Sequence, residues 1–179
     1  MSIVLKPFRD YSEHNVVNLF ALDASSGDKG QFVKLLTFDP DNHSNFGAKL
    51  PGTPTYAWSS DYVVNARVSL TTSGSSVFGM LLYDVRLNLP YLNTPANLAD
   101  PVRLAEQQVV PSGRAVPILT KGIVEIAGFE GVPGPGSGAY PSNTTAGGLR
   151  VAAGGSANQI GTWLSSSGVD GAAILKINL

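Results

Sequence analysis

Short β-forming segments separated by glycine and proline are the feature of this sequence that most constrains its fold. The chain has 20 Gly and 12 Pro in 179 residues, and both residue types interrupt helices and strands. Between them lie short segments of alternating or continuous apolar character, which is typical of strands. These segments are QFVKLLTF (31–38), YVVNARVSL (62–70), VFGMLLYDVRL (77–87), VVPSGRAVPIL (109–119), GIVEIAGF (122–129), LRVAAGG (149–155), QIGTWL (159–164) and GAAILKINL (171–179).

The segments predict an all-β fold, a small β-barrel or β-sandwich of about seven to eight short strands. The domain is expected to span residues 30–179. DPVRLAEQQ (100–108) predicts one short helix, because Asp100 can cap it and Pro101 occupies its first position, where the missing N–H costs nothing. That helix is too short to form a layer of the fold.

Two hairpins are expected. The segments 62–70 and 77–87 flank the turn TTSGSS, and Gly79 inside the second of them predicts a bulge or a close backbone approach. The last two segments flank SSSGVDG, whose glycines and Asp170 tolerate a positive φ. The chain is therefore expected to end on a paired strand. Pro117 predicts an edge position or a strand end.

Two stretches fall outside the strand pattern. Residues 1–29 predict an N-terminal arm that the parent domain or a neighbour holds in place, and the alternative is a first edge strand of the same domain. Residues 131–148, GVPGPGSGAYPSNTTAGG, contain too much Gly and Pro for a helix or a regular strand. A long uncharged loop of this kind is expected to form contacts rather than to act as a catalytic lid.

The composition excludes several classes of partner. Charged residues are only 14% of the chain and hydrophobic residues 43%, a balance that favours contact with other proteins, although a neutral soluble domain is the alternative. The net charge is −1 and no block of like charges occurs, which argues against nucleic acid. There is no basic start followed by an apolar run, and no apolar run long enough to span a membrane. We therefore expect synthesis in the cytoplasm and no membrane partner.

Residues that carry enzymatic chemistry form no recognisable motif. The chain has no Cys, and its two histidines, His14 and His43, fall on different expected loops, so a metal site is not predicted. Asp39 and Asp41 are spaced as in a calcium loop, but the central Gly and the bidentate Glu are missing, and an Asx turn is preferred. GPGSG (134–138) lacks the GK[ST] of a phosphate loop. The prediction is no enzyme, no cofactor and no metal.

Aromatic residues supply the candidate interface, which comprises Tyr56, Trp58, Phe129 and Tyr140. Tyr56 and Trp58 fall on one side of an extended segment, and Tyr140 stands in the Gly/Pro loop. Such rings could stack on a carbohydrate. The preferred interpretation is that Trp58 and Trp163 fill the core or a protein interface.

Three segments together resemble the head decoration (cement) proteins of tailed bacteriophages, with cyanophage virion proteins nearest in character. They are VFGMLLYDVR (77–86), EQQVVPSGRAVPILTKGIVEI (106–126) and NQIGTWLSSSGVDGAAILKINL (158–179). The resemblance covers roughly residues 60–179 and consists of strands and turns rather than of invariant chemical groups.

The resemblance implies a small barrel-like domain that oligomerises, often as a trimer, and binds the outside of an icosahedral head. The expected partners are the major capsid protein and further copies of the chain, and the expected location is the capsid exterior. No catalytic residue carries over. The expected function is to cement neighbouring capsomers. The alternatives are a carbohydrate- or receptor-binding β module of a phage fibre or baseplate and, less favoured, a carboxylate-based hydrolase.

Overall fold

The computed structural model describes residues 3–24, 26–36, 67–72, 75–86, 108–151 and 158–179. Within these residues the predicted all-β fold is confirmed, with fifteen short strands and one 3-10 helix at Glu13–Asn15. The strands are β1 (Val4–Asp10), β2 (Val16–Val17), β3 (Ala21–Leu22), β4 (Ser26–Gly27), β5 (Phe32–Leu35), β6 (Arg67–Leu70), β7 (Gly79–Leu81), β8 (Asp84–Arg86), β9 (Val109–Pro111), β10 (Ile118–Leu119), β11 (Lys121–Ala127), β12 (Gly138–Pro141), β13 (Leu149–Arg150), β14 (Gly161–Trp163) and β15 (Ala172–Asn178).

The strands form three sheets that curl into a half-barrel. The first sheet has the order β1-β11-β15-β14-β12-β13, the second β2-β10-β7-β5-β6-β3, and the third β4-β8-β9. Neighbouring strands are antiparallel except for the pairs β3–β6 and β8–β9. Strands are more numerous than predicted, because residues 3–27 contribute four of them and the Gly/Pro loop contributes β12.

The second sheet is a middle layer that is buried on both faces. Alternate side chains of its strands enter two different cores, since successive residues of a strand point to opposite faces. Phe32, Met80 and Leu119 pack with the first sheet, while Val33, Leu81 and Ile118 pack with Val85 of the third sheet. Strands buried on both faces have continuous rather than alternating apolar sequences, which accounts for the runs GMLL and VPIL.

The N-terminal residues form the edge strand that was the alternative to a separate arm. Val4 pairs with Ala127 and Asp10 with Ile123, so β1 extends the first sheet beyond β11. Ile3 and Leu5 are buried in the core between the first two sheets, and this burial holds the segment in place.

The predicted hairpin of residues 62–87 is wrong. In the structure β5 lies between β6 and β7: Val33 pairs with Leu70 on one side and with Gly79 on the other. Both strands are antiparallel to β5, hence parallel to each other, and two parallel strands cannot be joined by a tight turn. Directly after β6, the N–H and the hydroxyl of Thr71 both donate to the carbonyl of Phe32 in β5, at 2.9 and 3.1 Å.

Other local predictions are confirmed. The hairpin of β14 and β15 pairs Gly161 with Ile177, and Gly171 in its turn has a φ of +73°. Pro117 lies immediately before β10, at a strand end. Gly79 is a close backbone approach, since a Cβ atom there would lie 2.4 Å from Ile118 Cγ2.

The Gly/Pro loop is more regular than its sequence predicts. Gly138–Pro141 forms β12, which pairs with both β13 and β14. Its C-terminal part is anchored to the second sheet, because the N–H of Gly147 donates to Thr71 O at 2.8 Å and Gly147 O accepts from the N–H of Phe32 at 2.9 Å. These tertiary hydrogen bonds outweigh the low strand propensity of glycine and proline.

Several predictions fall on residues outside those that the structure describes. They are the helix predicted over residues 100–108, apart from Gln108, and the Asp39–Asp41 turn, His43, Tyr56 and Trp58. Gln108 is not helical, because its φ is +56°.

Candidate protein-contact surface

The first sheet presents one face to solvent, here called the outer face. Along β11 and β15 the inward side chains, such as Val124 and Leu175, are fully buried, whereas the alternate ones are not. Cross-strand partners share a face, so the register assigns the neighbouring residues of β1 and β14. The outer face comprises Val4, Lys6, Asp10, Lys121, Ile123, Glu125, Ala127, Thr162, Leu164, Ile174 and Lys176.

Exposed apolar side chains are concentrated at one end of this sheet. The start of β1, the end of β11, the end of β14 and the start of β15 meet there, because these strands are antiparallel. Val4 is 50% exposed and Leu164 44%, and Val169 is fully exposed. We call these three residues the apolar end. Clustered exposed apolar side chains mark interaction sites.

Backbone hydrogen bonds hold the turn that presents Val169. The N–H of Gly168 donates to Ala172 O at 2.7 Å, and the N–H of Gly171 donates to Gly168 O at 3.0 Å. Val169 is thus displayed on a turn tied to strand ends, which limits the entropy that contact with a partner would cost. Val132 is also exposed, at 81%, but it follows Gly131 beside Val151 and so lies by β13, at the edge of the sheet opposite β1.

An ion pair connects the edge strand to the β14–β15 turn beside the apolar end. Lys6 Nζ lies 3.1 Å from Asp170 Oδ2. The hydrogen bond from Lys6 lowers the pKa of the exposed Asp170 carboxyl, with help from the N–H of Ala172. The pair neutralises two charges next to apolar surface, so the apolar end carries little net charge.

A second carboxylate stabilises the Gly/Pro loop. The hydroxyls of Ser142 and Thr144 donate to Glu130 Oε1, and these two bonds lower the pKa of Glu130, with a smaller contribution from the positive charge of Arg150. Ser142 Oγ also accepts from the backbone N–H of Thr145 at 2.9 Å. The arrangement ties the chain after β11 to the turn that precedes β13, and its role is structural.

A third polar group cross-links the third sheet. Nη1 of Arg86 donates to Gly27 O at 2.7 Å, and Nη2 lies 2.8 Å from Asp28 Oδ1 and 3.4 Å from Asp84 Oδ2. Asp84 Oδ1 in turn accepts from the N–H of Lys29 at 2.8 Å. These bonds connect β4 and β8, two strands far apart in sequence.

The predicted interface residues have different locations. Phe129 is 8% exposed and lies on the inner side, with its ring centroid 4.6 Å from that of Trp163. Trp163 is fully buried, in agreement with the expectation that it fills the core. Tyr140 is half-buried beside the outer face. Its side chain lies over Gly138, because a Cβ atom on that glycine would lie 2.8 Å from Tyr140 Oη. The structure therefore does not bring Phe129 and Tyr140 onto one surface.

Sequence reasoning missed the three residues of the apolar end. A single valine in a turn follows neither the period of a helix nor that of a strand, so a pattern search passes over Val169. A signal was present in the string GVDG, which places this valine in a glycine-flanked turn. A large apolar residue in such a turn has few neighbours to bury it.

Comparison with known proteins adds no relationship. The chain matches no protein-family model, no curated protein and no solved structure. Among the described residues, no group of three or more His, Cys, Asp and Glu side chains could hold a metal ion. In the same part of the chain no helix has the length and apolar character needed to cross a membrane.

Proposed function

We propose that this protein is a non-enzymatic structural component of a phage virion, which binds the outside of an icosahedral capsid and cements neighbouring capsomers. The observation that carries the proposal is the apolar end: Val4, Leu164 and Val169 are exposed at one end of the first sheet, on strand ends and an ordered turn. Such a surface is suited to contact with protein rather than to chemistry on a small substrate.

The energy available from this surface suits a protein present in many copies. Burying a Val or Leu side chain contributes about 1.5–3 kcal/mol, so the two half-exposed residues and the fully exposed Val169 together supply roughly 4 kcal/mol before binding costs. Ordering and association consume much of that amount. Each copy would bind weakly through the apolar end alone, and many copies would stabilise a shell collectively.

The described carboxylates support a structural interpretation. Glu130 accepts hydrogen bonds from two hydroxyls, and Asp28 and Asp84 bind Arg86. Each of these groups joins segments that are distant in sequence, which is a role in folding.

The assignment to a capsid comes from the resemblance of three segments to decoration proteins. These segments include β7 and β8, then β9 to β11, then β14 and β15. Two of the three therefore form the centre of the first sheet and the turn that carries Val169. The proposed partner is the major capsid protein, and the proposed location is the capsid exterior.

The experiment is co-sedimentation of the purified protein with mature heads of the phage that encodes it. The double variant Leu164→Asp/Val169→Asp should lose binding, because charged groups would have to be buried at the contact. The matched control is Leu19→Asp, since Leu19 is 60% exposed but lies between β2 and β3. Binding by the double variant at the wild-type level would refute the assigned surface. Absence of stoichiometric protein from purified heads, measured by mass spectrometry, would refute the function.

The alternative function, carbohydrate or receptor binding, requires aromatic rings that share a surface. Of the three rings named for it, Tyr56 and Trp58 lie outside the described residues, so only Tyr140 is available as support. The apolar end offers three side chains to a protein partner, and we therefore prefer capsid binding. A Tyr140→Ala variant that loses glycan binding would favour the alternative.

A further inference from the structure

Opposite charges occupy diagonal positions on the outer face. Glu125 pairs in register with Ile174, and Lys176 with Ile123, so Glu125 and Lys176 are diagonal neighbours on β11 and β15. On the other side of β11, Asp10 of β1 pairs in register with Ile123. Lys121 lies two residues before Ile123 on the same face, so Asp10 and Lys121 form a second couple of diagonal neighbours. Within the described residues neither couple forms an ion pair.

The charges of the outer face are balanced. Lys6, Lys121 and Lys176 are positive, and Asp10, Glu125 and the adjoining Asp170 are negative. A strongly acidic or basic partner would meet as much repulsion as attraction on such a face. A partner that places a negative charge opposite each lysine and a positive charge opposite each acid would be attracted. A second copy of the outer face, turned over to face the first, places its charges in this way.

We propose that the outer face binds the outer face of a second copy about a two-fold axis along the line from Ile123 to Ile174. This operation places Glu125 of each copy opposite Lys176 of the other, because the two residues lie on either side of that line. Ile123 and Ile174 then meet their own equivalents. Asp10 of each copy likewise lies opposite Lys121 of the other. Each of these contacts therefore occurs twice, as a closed two-fold interface requires.

The spacing of the strands fixes the crossing angle of this dimer. Neighbouring strands lie about 4.8 Å apart and alternate residues about 6.7 Å apart along a strand. The axis then makes about 35° with the strands, and the two sheets cross at about 70°, closer to the orthogonal than to the aligned class of sheet packing. The half-buried Ile123 and Ile174 occupy the centre, with charged residues around them, as in a typical interface.

The dimer does not depend on the proposed capsid function. It forms from the protein alone, whereas cementing requires heads, so the two proposals can fail separately. The apolar end lies at one end of the sheet rather than at the centre of the outer face.

The test is the mass of the full-length chain in solution, measured by sedimentation velocity from about 1 to 500 μM. We expect a monomer–dimer equilibrium. Glu125→Lys and Lys176→Glu should each raise the dimer Kd at least tenfold, because each turns two attractive contacts into two repulsive ones. Mixing the two variants should restore dimers with nearly wild-type Kd, since one copy is then positive at both positions and the other negative.

The mixture is also the control for folding, because a misfolded variant could not restore the dimer. The matched charge control is Asp23→Lys, an exposed acid beyond β3 on the second sheet, and it should leave the Kd unchanged. A wild-type chain that is monomeric throughout the range, or trimeric, would overturn the proposal. Single variants that dimerise like wild type, or a mixture that stays monomeric, would overturn it as well.

Discussion

Replacing Gly79 by alanine tests how closely the second sheet is packed. A Cβ atom at this position would lie 2.4 Å from Ile118 Cγ2 and 2.7 Å from the backbone oxygen of Leu119, whereas ordinary contacts of a Cβ begin near 3.4 Å. Relief therefore needs a movement of up to 1.0 Å, the difference between 3.4 and 2.4 Å. Ile118 is fully buried, and Leu119 pairs with Met80 in the same ladder, so neither can give way without disturbing a close-packed core.

The cost follows from this geometry. Over-packing a well-filled core destabilises by about 1–3 kcal/mol, and movement of the Leu119 carbonyl weakens a ladder hydrogen bond worth about 1 kcal/mol. We therefore expect Gly79→Ala to lower the free energy of unfolding by about 2–4 kcal/mol. For a chain of this length that corresponds to a fall in Tm of roughly 4–14 °C.

Gly134→Ala is the matched control, because a Cβ atom there has no neighbour within 4 Å. This change should be neutral or stabilise by up to about 1 kcal/mol, since alanine restricts the unfolded chain. Urea denaturation of both variants beside the wild type measures the difference. If Gly79→Ala unfolds within about 0.5 kcal/mol of Gly134→Ala, the close approach of β7 and β10 is refuted.

Three further changes test other parts of the structure. Trp163→Ala should lower the free energy of unfolding, measured by urea denaturation, by about 3–5 kcal/mol, because the ring is fully buried against Phe129. A loss below about 1 kcal/mol would contradict this packing. Arg86→Met should lower the same free energy by about 1–3 kcal/mol, since the carbonyl of Gly27 and the carboxylates of Asp28 and Asp84 lose the guanidinium as a donor. An unchanged midpoint of urea denaturation would contradict the cross-link between β4 and β8. The pKa of Glu130 is lowered in the folded state, so its contribution to stability is present above the ordinary pKa of about 4.5 and is lost as the pH falls through the lowered value. Glu130→Gln should make the free energy of unfolding less dependent on pH below about 5, and an unchanged pH profile would refute the role of this carboxylate.

Local sequence patterns were sufficient for part of this fold. Strand content follows from short β-forming segments, and the hairpin of β14 and β15 follows from two apolar segments around a glycine turn. Gly79 was identified because a glycine inside a strand usually accommodates a close neighbour. Each of these inferences concerns residues close together in the chain, where propensity and turn geometry act directly.

The candidate surface could be predicted less well. The aromatic residues chosen from the sequence lie on different sides of the first sheet where they are described, with Phe129 inside against Trp163 and Tyr140 beside the outer face. Val4 and Val169 are far apart in sequence and reach the same end only because β1, β11 and β15 are antiparallel neighbours. Composition alone indicated contact with protein but did not indicate where.

The sequence by itself determined the all-β class and the paired C-terminal strand. Tertiary structure alone decided that β5 separates β6 from β7, that residues 4–10 complete the first sheet, and that part of the Gly/Pro loop becomes β12. The physical reason is that strand pairing joins residues of any separation, so the choice of partner depends on which apolar faces can be buried together. The β-propensity of a residue carries little information about which strand it pairs with.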